Sequence, residues 1–422
     1  MTSSLSRISS LVTFLVALFP VITLTVGWGS ALFYLLVAVS LYALAIAPSS
    51  HWVPQLHFYR WLILALGLPL AAILLSQGLN EIWDAPDIER GLRISLGFPI
   101  LLAGFLLIDR SRLRHFIWGA LIAGVLATGI VCYLAGPELR RPPTPQFNAV
   151  GYSNLMLLMA VVTLYSLGWQ LTRHPRAERT LKILVAVLTI LGFVLTQTRT
   201  GWMAIPVFAL IGIALAGWLH RPLRALAALM GIGLIALAVG ASSPALRERV
   251  MQGVQEIHEC VTVAPTADTS MCIRLQLWGT AWRMVQSEPW SGVGGRYSFK
   301  EALQQGAATG QVSPFVAHDF GEPHNDFLLT LATHGVPGGI ALLALYFAPA
   351  WLFLRRLRRD VPQTQRVAAA MGLAVCLGFV VFGLTELMFR GMRTLSLYVT
   401  LIALFSALSA PPREQANELT RK

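Results

Sequence analysis

The chain has 422 residues, 55% of them hydrophobic and only 12% charged, with a mean hydropathy of +0.64. A soluble protein carries about 25% charged residues, so a cytosolic globular enzyme and a disordered chain are both excluded. The net charge of +12 leaves nucleic-acid binding to be judged by where the basic residues sit.

Apolar runs long enough to cross a membrane recur along the chain. They predict twelve spans, near 10–27, 29–47, 61–78, 92–108, 115–135, 149–169, 180–197, 201–219, 223–242, 325–353, 367–388 and 393–410. Ala45-Ile46-Ala47 resembles a signal-peptide cleavage site, but Pro48 follows it and two apolar runs precede it, so the N-terminus reads as two membrane helices. The span at 325–353 holds Gly335, Pro337, Gly338 and Gly339 and is expected to break. The predicted fold class is all-α: a polytopic integral membrane protein of about twelve transmembrane helices. Nine lie in 1–242 and three in 324–410, with a long loop at 243–323 between them and a tail at 411–422.

Lys and Arg in the loops set the orientation. With both termini inside, 19 of the 32 basic residues and five of the 20 acidic ones fall inside, a charge of +14, which leaves −2 outside. The basic excess is spread over short inside loops such as RRLRRD at 355–360. It reads as a topology signal and as contact with membrane lipid headgroups. No aromatic-basic module accompanies it, so nucleic-acid binding is not indicated.

The outside segments are 79–91, 136–148, the turn at 196–200, and 243–323, which is longer than a helix bundle needs. Within the last, the pattern predicts helices at 244–259 and 274–287, a Pro/Gly break in PWSGVGG at 289–295, and irregular polar loop over 300–322. Leu277, Trp278, Ala281, Trp282 and Val285 share one face of the second helix. Packing against the membrane interface or the bundle accounts for that stripe. Cys132 and Cys376 sit in apolar spans and read as small core residues. Cys260 and Cys272 lie together in the long loop, and an oxidising compartment would join them in a disulfide worth about 2–3 kcal/mol. A metal pair fits less well, because the spacing is not that of a zinc site and only His258 is near.

Polar chemistry in a membrane enzyme belongs at the ends of its spans, where the cost of burying charge is bearable. Arg199 sits in the tight turn TQTRTGW at 196–202, and Arg274 begins the second loop helix beside Cys272. Snorkelling, a helix cap or a solvated helix end would explain either one alone. Together, two guanidinium forks could hold a diphosphate. His324, in GEPHNDFLL at 321–329, starts a span on the outer side, as a cap or as a proton acceptor near neutral pH. There is no HExxH, P-loop, G-x-S-x-G or paired-carboxylate motif, so no metal ligand set and no cofactor is expected.

These segments resemble those of the O-antigen ligase and polymerase superfamily. TQTRTGW is similar to its S-x-S-R-x-G turn, with Thr196 and Thr198 in place of serines. RLQLWGTAWRMVQSEPWSGVGG at 274–295 resembles its R-x3-W-x-x-A … P-x-x-G-x-G segment. HNDFLLTLATHGVPG at 324–338 fits H-[NSQ]-x9-G-x-x-G, with His324, Asn325, Gly335 and Gly338 on the fixed positions. The resemblance implies a metal-independent, inverting glycosyltransferase of the GT-C type in the bacterial inner membrane, with both termini cytoplasmic. It would move O-antigen from undecaprenyl diphosphate to the lipid A core on the periplasmic side. In that role Arg199 and Arg274 would grip the diphosphate and His324 would act as base. Asp326, Asp319 or Glu322 would orient His324, with Asn325 and Trp278 in support, and the 243–323 loop would roof the site. Rival readings are a polymerase or protein O-oligosaccharyltransferase of the same superfamily, or a transporter of lipid-linked sugars. The transporter would call for mid-span charges and internal repeats, which the sequence lacks.

Overall fold

A computed structural model describes residues 2–26, 28–137, 142, 144, 148–198, 200–218, 221, 223–224, 226–227, 230–231, 233–234, 251, 255–256, 258, 260, 262, 264–295 and 297–411. Among the described residues the chain is helical and without strands. Eight helical segments are long and apolar enough to cross a membrane, and two shorter apolar helices, Thr200–Leu215 and Met392–Leu408, accompany them. The architecture is that of a polytopic membrane protein. The count of twelve spans also draws on 223–242, most of which lies outside the described residues, as do the predicted helix at 244–259 and the tail beyond Pro411.

Helix Pro175–Leu195 shows how a charged sequence enters such a bundle. Its first turns carry Arg176, Glu178, Arg179 and Lys182. Lys182 is only 1% exposed, yet its Nζ donates to Glu178 at 2.6 Å and to the carbonyls of Ser166 and Trp169 at 2.9 Å each. A buried ammonium is tolerable only when paired and fully hydrogen-bonded, as here.

The core follows from which helices are apolar all round. Met392–Leu408 is buried without interruption from Thr394 to Leu408, so it is a central helix. Around it pack Thr2–Thr25, Gly29–Ile46, Gly97–Leu107, Gln363–Gly383 and Asp326–Arg356. The span expected at 92–108 is two helices, amphipathic Ala85–Ser95 and apolar Gly97–Leu107, so the first reaches back into the segment read as outside loop. Helix Asp326–Arg356 breaks at Gly335, where φ is 63° and ψ −163°, as its Gly and Pro content predicts.

The segment 300–322 corrects an expectation, because it is mostly helical rather than irregular. Helices Tyr297–Ala308 and Pro314–Asp319 cover it, the second capped by Ser313, whose Oγ accepts from the Val316 N–H at 3.0 Å. Phe299, Leu303, Val312 and Val316 are sparse among polar neighbours, but they close a small core with Leu277, Ala281 and Val285 of helix Ser270–Ser287. Thus only part of the aromatic stripe is core: Trp278 is partly buried and Trp282 is exposed. Ala332 of the kinked helix belongs to the same cluster, which fixes this roof onto the bundle.

Candidate active site at the roofed end of the bundle

The kink at Gly335 builds the floor of the site. An unbroken helix would have the Val336 and residue-337 N–H groups serve the carbonyls of Ala332 and Thr333. Pro337 has no N–H, and Val336 instead donates to the Pro289 carbonyl at 2.8 Å. The PWSGVGG loop supplies the missing donors: Val293 N–H reaches Ala332 O at 2.9 Å and Gly294 N–H reaches Thr333 O at 3.1 Å. The approach is so close that a Cβ on Gly335 would lie 2.3 Å from the Trp290 carbonyl oxygen. Helix Arg60–Asn80 seals the joint, with Ser76 Oγ donating to Thr333 O at 2.9 Å and Asn80 Nδ2 to Gly292 O at 3.0 Å. Two of the sequence motifs are therefore one structural unit.

His324 stands just before this helix with φ at 48°, a left-handed conformation that a residue with a side chain rarely adopts. Its neighbours hold it there. Trp278 Nε1 donates to the Pro323 carbonyl at 3.0 Å. Asn325 caps the helix, its Oδ1 accepting from Leu328 N–H at 2.9 Å, while its Nδ2 donates to Leu384 O at 3.0 Å. Phe320 meets the imidazole edge-on, with ring centroids 6.1 Å apart.

The carboxylate on His324 is Glu386, whose Oε1 lies 3.3 Å from Nδ1. Glu386 sits in the connection after helix Gln363–Gly383 and is 7% exposed. Burial opposes its ionisation, but the His324 contact, the Leu387 N–H at 3.1 Å and the Asn148 amide at 2.6 Å outweigh it, holding its carboxyl below the ordinary range. A carboxylate only accepts, so Nδ1 donates and Nε2 is left with the lone pair.

None of the three carboxylates expected to orient His324 touches it. Asp326 accepts from the N–H groups of Met388 at 3.0 Å and Phe389 at 3.3 Å and from Tyr346 Oη at 3.2 Å, so it fixes the turn that carries Glu386. Asp319 binds His318 at 2.7 Å, and Glu322 pairs with Arg390. Glu386 escapes the sequence pattern although it is the only acid between Asp360 and Glu414 and lies just past the end of a span.

Arg274 is half-buried in the first turns of helix Ser270–Ser287, and Cys272 beside it is disulfide-bonded to Cys260 as expected, with Cα atoms 5.2 Å apart. Burial lowers the Arg274 pKa, opposed by the charges of Glu386 and Glu256. A guanidinium stays protonated regardless, so Arg274 is a cation that shares the Glu386 environment with His324. Arg199 lies outside the described residues. Its neighbour Thr198 is 2.6 Å from Ser153 Oγ, on the helix that Asn148 caps, so the flanks of that turn stand at the same end of the bundle as His324. Beyond Asp326 a cavity of about 120 Å³ opens between apolar side chains such as Ile73, Leu329 and Leu342, with Arg90, His334 and Arg390 also lining it.

The arrangement sets a base with a free lone pair against a buried carboxylate whose charge also acts on the half-buried Arg274, under a roof, at one end of a membrane bundle. Residues 184–343 match the family model for O-antigen ligase, a stretch that contains Arg199, Arg274, Trp278, the disulfide, His324 and the Gly335 kink. An uncharacterized protein of Haemophilus influenzae is 24% identical over 303 residues, covering 70% of this chain and 72% of that protein. Over the segment that builds the site, the chain is therefore similar to the O-antigen ligase family, whose members are glycosyltransferase-like enzymes.

Proposed function

We propose that the protein is an O-antigen ligase of the GT-C type in the bacterial inner membrane. It transfers a glycan from undecaprenyl diphosphate to the lipid A core oligosaccharide on the periplasmic face. The observation that carries the reading is the His324–Glu386 pair, because a sugar hydroxyl attacks only if a positioned base takes its proton. The acceptor oxygen bonds to the anomeric carbon, its proton passes to Nε2 of His324, and the bond from that carbon to the diphosphate oxygen breaks. One in-line displacement inverts the anomeric centre. The leaving diphosphate gains negative charge, which Arg274 and Arg199 neutralise through bidentate hydrogen bonds. Trp278 and Asn325 hold the His324 turn, Asp326 holds the Glu386 turn, and the roof excludes water from the donor. The polyprenyl tail lies between spans.

The test is transfer by the reconstituted protein, given purified lipid-linked glycan and lipid A core. Wild type should yield glycan-modified lipid A. His324→Ala should fold and insert but lose transfer by about 10²–10⁴-fold. Near-normal transfer by that variant removes the base assignment, and movement of glycan lipid without bond formation would support a transporter instead.

A further inference from the structure

The end of the bundle opposite His324 carries a second recess, built differently. Helix Asp326–Arg356 runs from the site to it, 31 residues or about 46 Å along the chain. There the start of helix Arg60–Asn80, the end of Asp326–Arg356 and the end of the central helix enclose about 630 Å³.

Its charge is one-sided. Arg60, Arg355, Arg356 and His57 line it, and among the described residues no carboxylate does. Arg356 is buried and forms the floor, donating to Ser406 O and Ser409 Oγ at 3.0 Å each and to Tyr59 Oη at 2.9 Å. Those acceptors are neutral, so its charge is hydrogen-bonded but not cancelled. Arg355 lies over Trp351, 5.7 Å from the ring centroid, and Arg60 donates to His57 Nε2 at 3.0 Å. Among the described residues none of the three arginines has an acidic partner.

Two apolar stripes leave the recess toward the middle of the bundle. Trp61, Leu64 and Leu68 follow one another at helical spacing on Arg60–Asn80, and Leu354, Trp351 and Phe347 do so on Asp326–Arg356; all six are exposed. Trp61 and Trp351 both stand at the recess, so each stripe passes its mouth. Tryptophans at the mouth with arginines above them mark a membrane interface.

We propose that this recess binds the anionic phosphate headgroup of a membrane phospholipid, with the acyl chains lying along the two stripes. The arginines supply forked donors for phosphate oxygens. Basic pockets between membrane helices take anionic headgroups for the same reason. A free phosphate ion would need neither the stripes nor so large a space, given that one water occupies about 30 Å³.

The experiment uses the full-length protein, stripped of lipid in detergent and titrated with phosphatidylglycerol while bound species are counted by native mass spectrometry. Phosphatidylcholine and inorganic phosphate are titrated in parallel. Wild type should bind phosphatidylglycerol at one preferred site, at least tenfold more tightly than phosphatidylcholine. The double variant R60Q/R355Q, altered only at exposed side chains, should weaken that binding about 30-fold, since each basic residue at a membrane surface is worth about fivefold. R60K/R355K keeps the charge and should retain most of it. Equal affinity for the two lipids overturns the proposal, as does undiminished binding in R60Q/R355Q. Displacement of the lipid by equimolar inorganic phosphate would make this a bare anion site and overturn it too.

Discussion

Replacing Glu386 with glutamine separates a positioned base from a histidine that merely caps a helix. The change keeps volume and removes one acceptor. In the native carboxylate, Oε1 faces both His324 Nδ1 at 3.3 Å and Leu387 N–H at 3.1 Å, while Oε2 faces the Asn148 amide at 2.6 Å. Glutamine offers one oxygen and one NH2. The shorter Asn148 contact claims the oxygen, which turns the NH2 toward His324 Nδ1. The imidazole then accepts at Nδ1 and carries its proton on Nε2, the tautomer that cannot act as base. A hydrogen bond to a charged group contributes about 1.5–3 kcal/mol, and each 1.36 kcal/mol is tenfold in rate. The expected loss is therefore roughly 10- to 150-fold in kcat, with KM for the lipid-linked donor unchanged. Steady-state transfer at saturating acceptor measures it, and an unchanged thermal midpoint excludes simple unfolding. A kcat within threefold of wild type, in a variant that still folds, would refute the claim that Glu386 sets the tautomer.

Arg274→Lys keeps the charge but loses the fork, and kcat/KM should fall at least about tenfold; wild-type kinetics would show that Arg274 does not grip a diphosphate. Gly335→Ala places a Cβ 2.3 Å from a backbone oxygen at a φ and ψ that only glycine adopts comfortably, a cost of about 3 kcal/mol from strain and overpacking. Its apparent thermal midpoint in detergent should drop by several degrees, and an unchanged midpoint contradicts the docking of the PWSGVGG loop. Denatured but unreduced protein should present two reactive thiols, Cys132 and Cys376; four would mean that Cys260 and Cys272 are not joined.

Local and periodic features were legible in the sequence. Apolar runs gave helices because a spanning segment must be apolar over most of its length. The two loop cysteines announced their bond, and Gly335 with Pro337 announced the kink, because each acts through the backbone at its own position. What escaped depended on tertiary contact. The helices within 300–322 carry only a few apolar residues, such as Phe299, Leu303 and Val316, and their partners lie on another helix. The first part of Ala85–Ser95, up to residue 91, reads as loop because its charges hide an amphipathic face. Glu386 escapes because acids nearer in sequence compete as partners for His324, while the actual partner is 62 residues away.

That last miss has a physical pattern behind it. The groups proposed to touch substrate, Arg199, Arg274 and His324, all fall within the stretch that matches the family model, 184–343. The groups that hold His324 in its tautomer, Asn148 and Glu386, fall outside it on both sides. A group that meets substrate must keep its identity and its local backbone, so it leaves a short motif. A group that meets the base needs only to deliver one oxygen to one place, and any helix end that reaches that place can supply it. Here the delivery is secured from within the matched stretch, because Asp326, two residues after His324, binds the backbone of Met388 and Phe389 just past Glu386. Asp326 therefore acts on His324 after all, not through the ring but by fixing the turn whose carboxylate the ring meets.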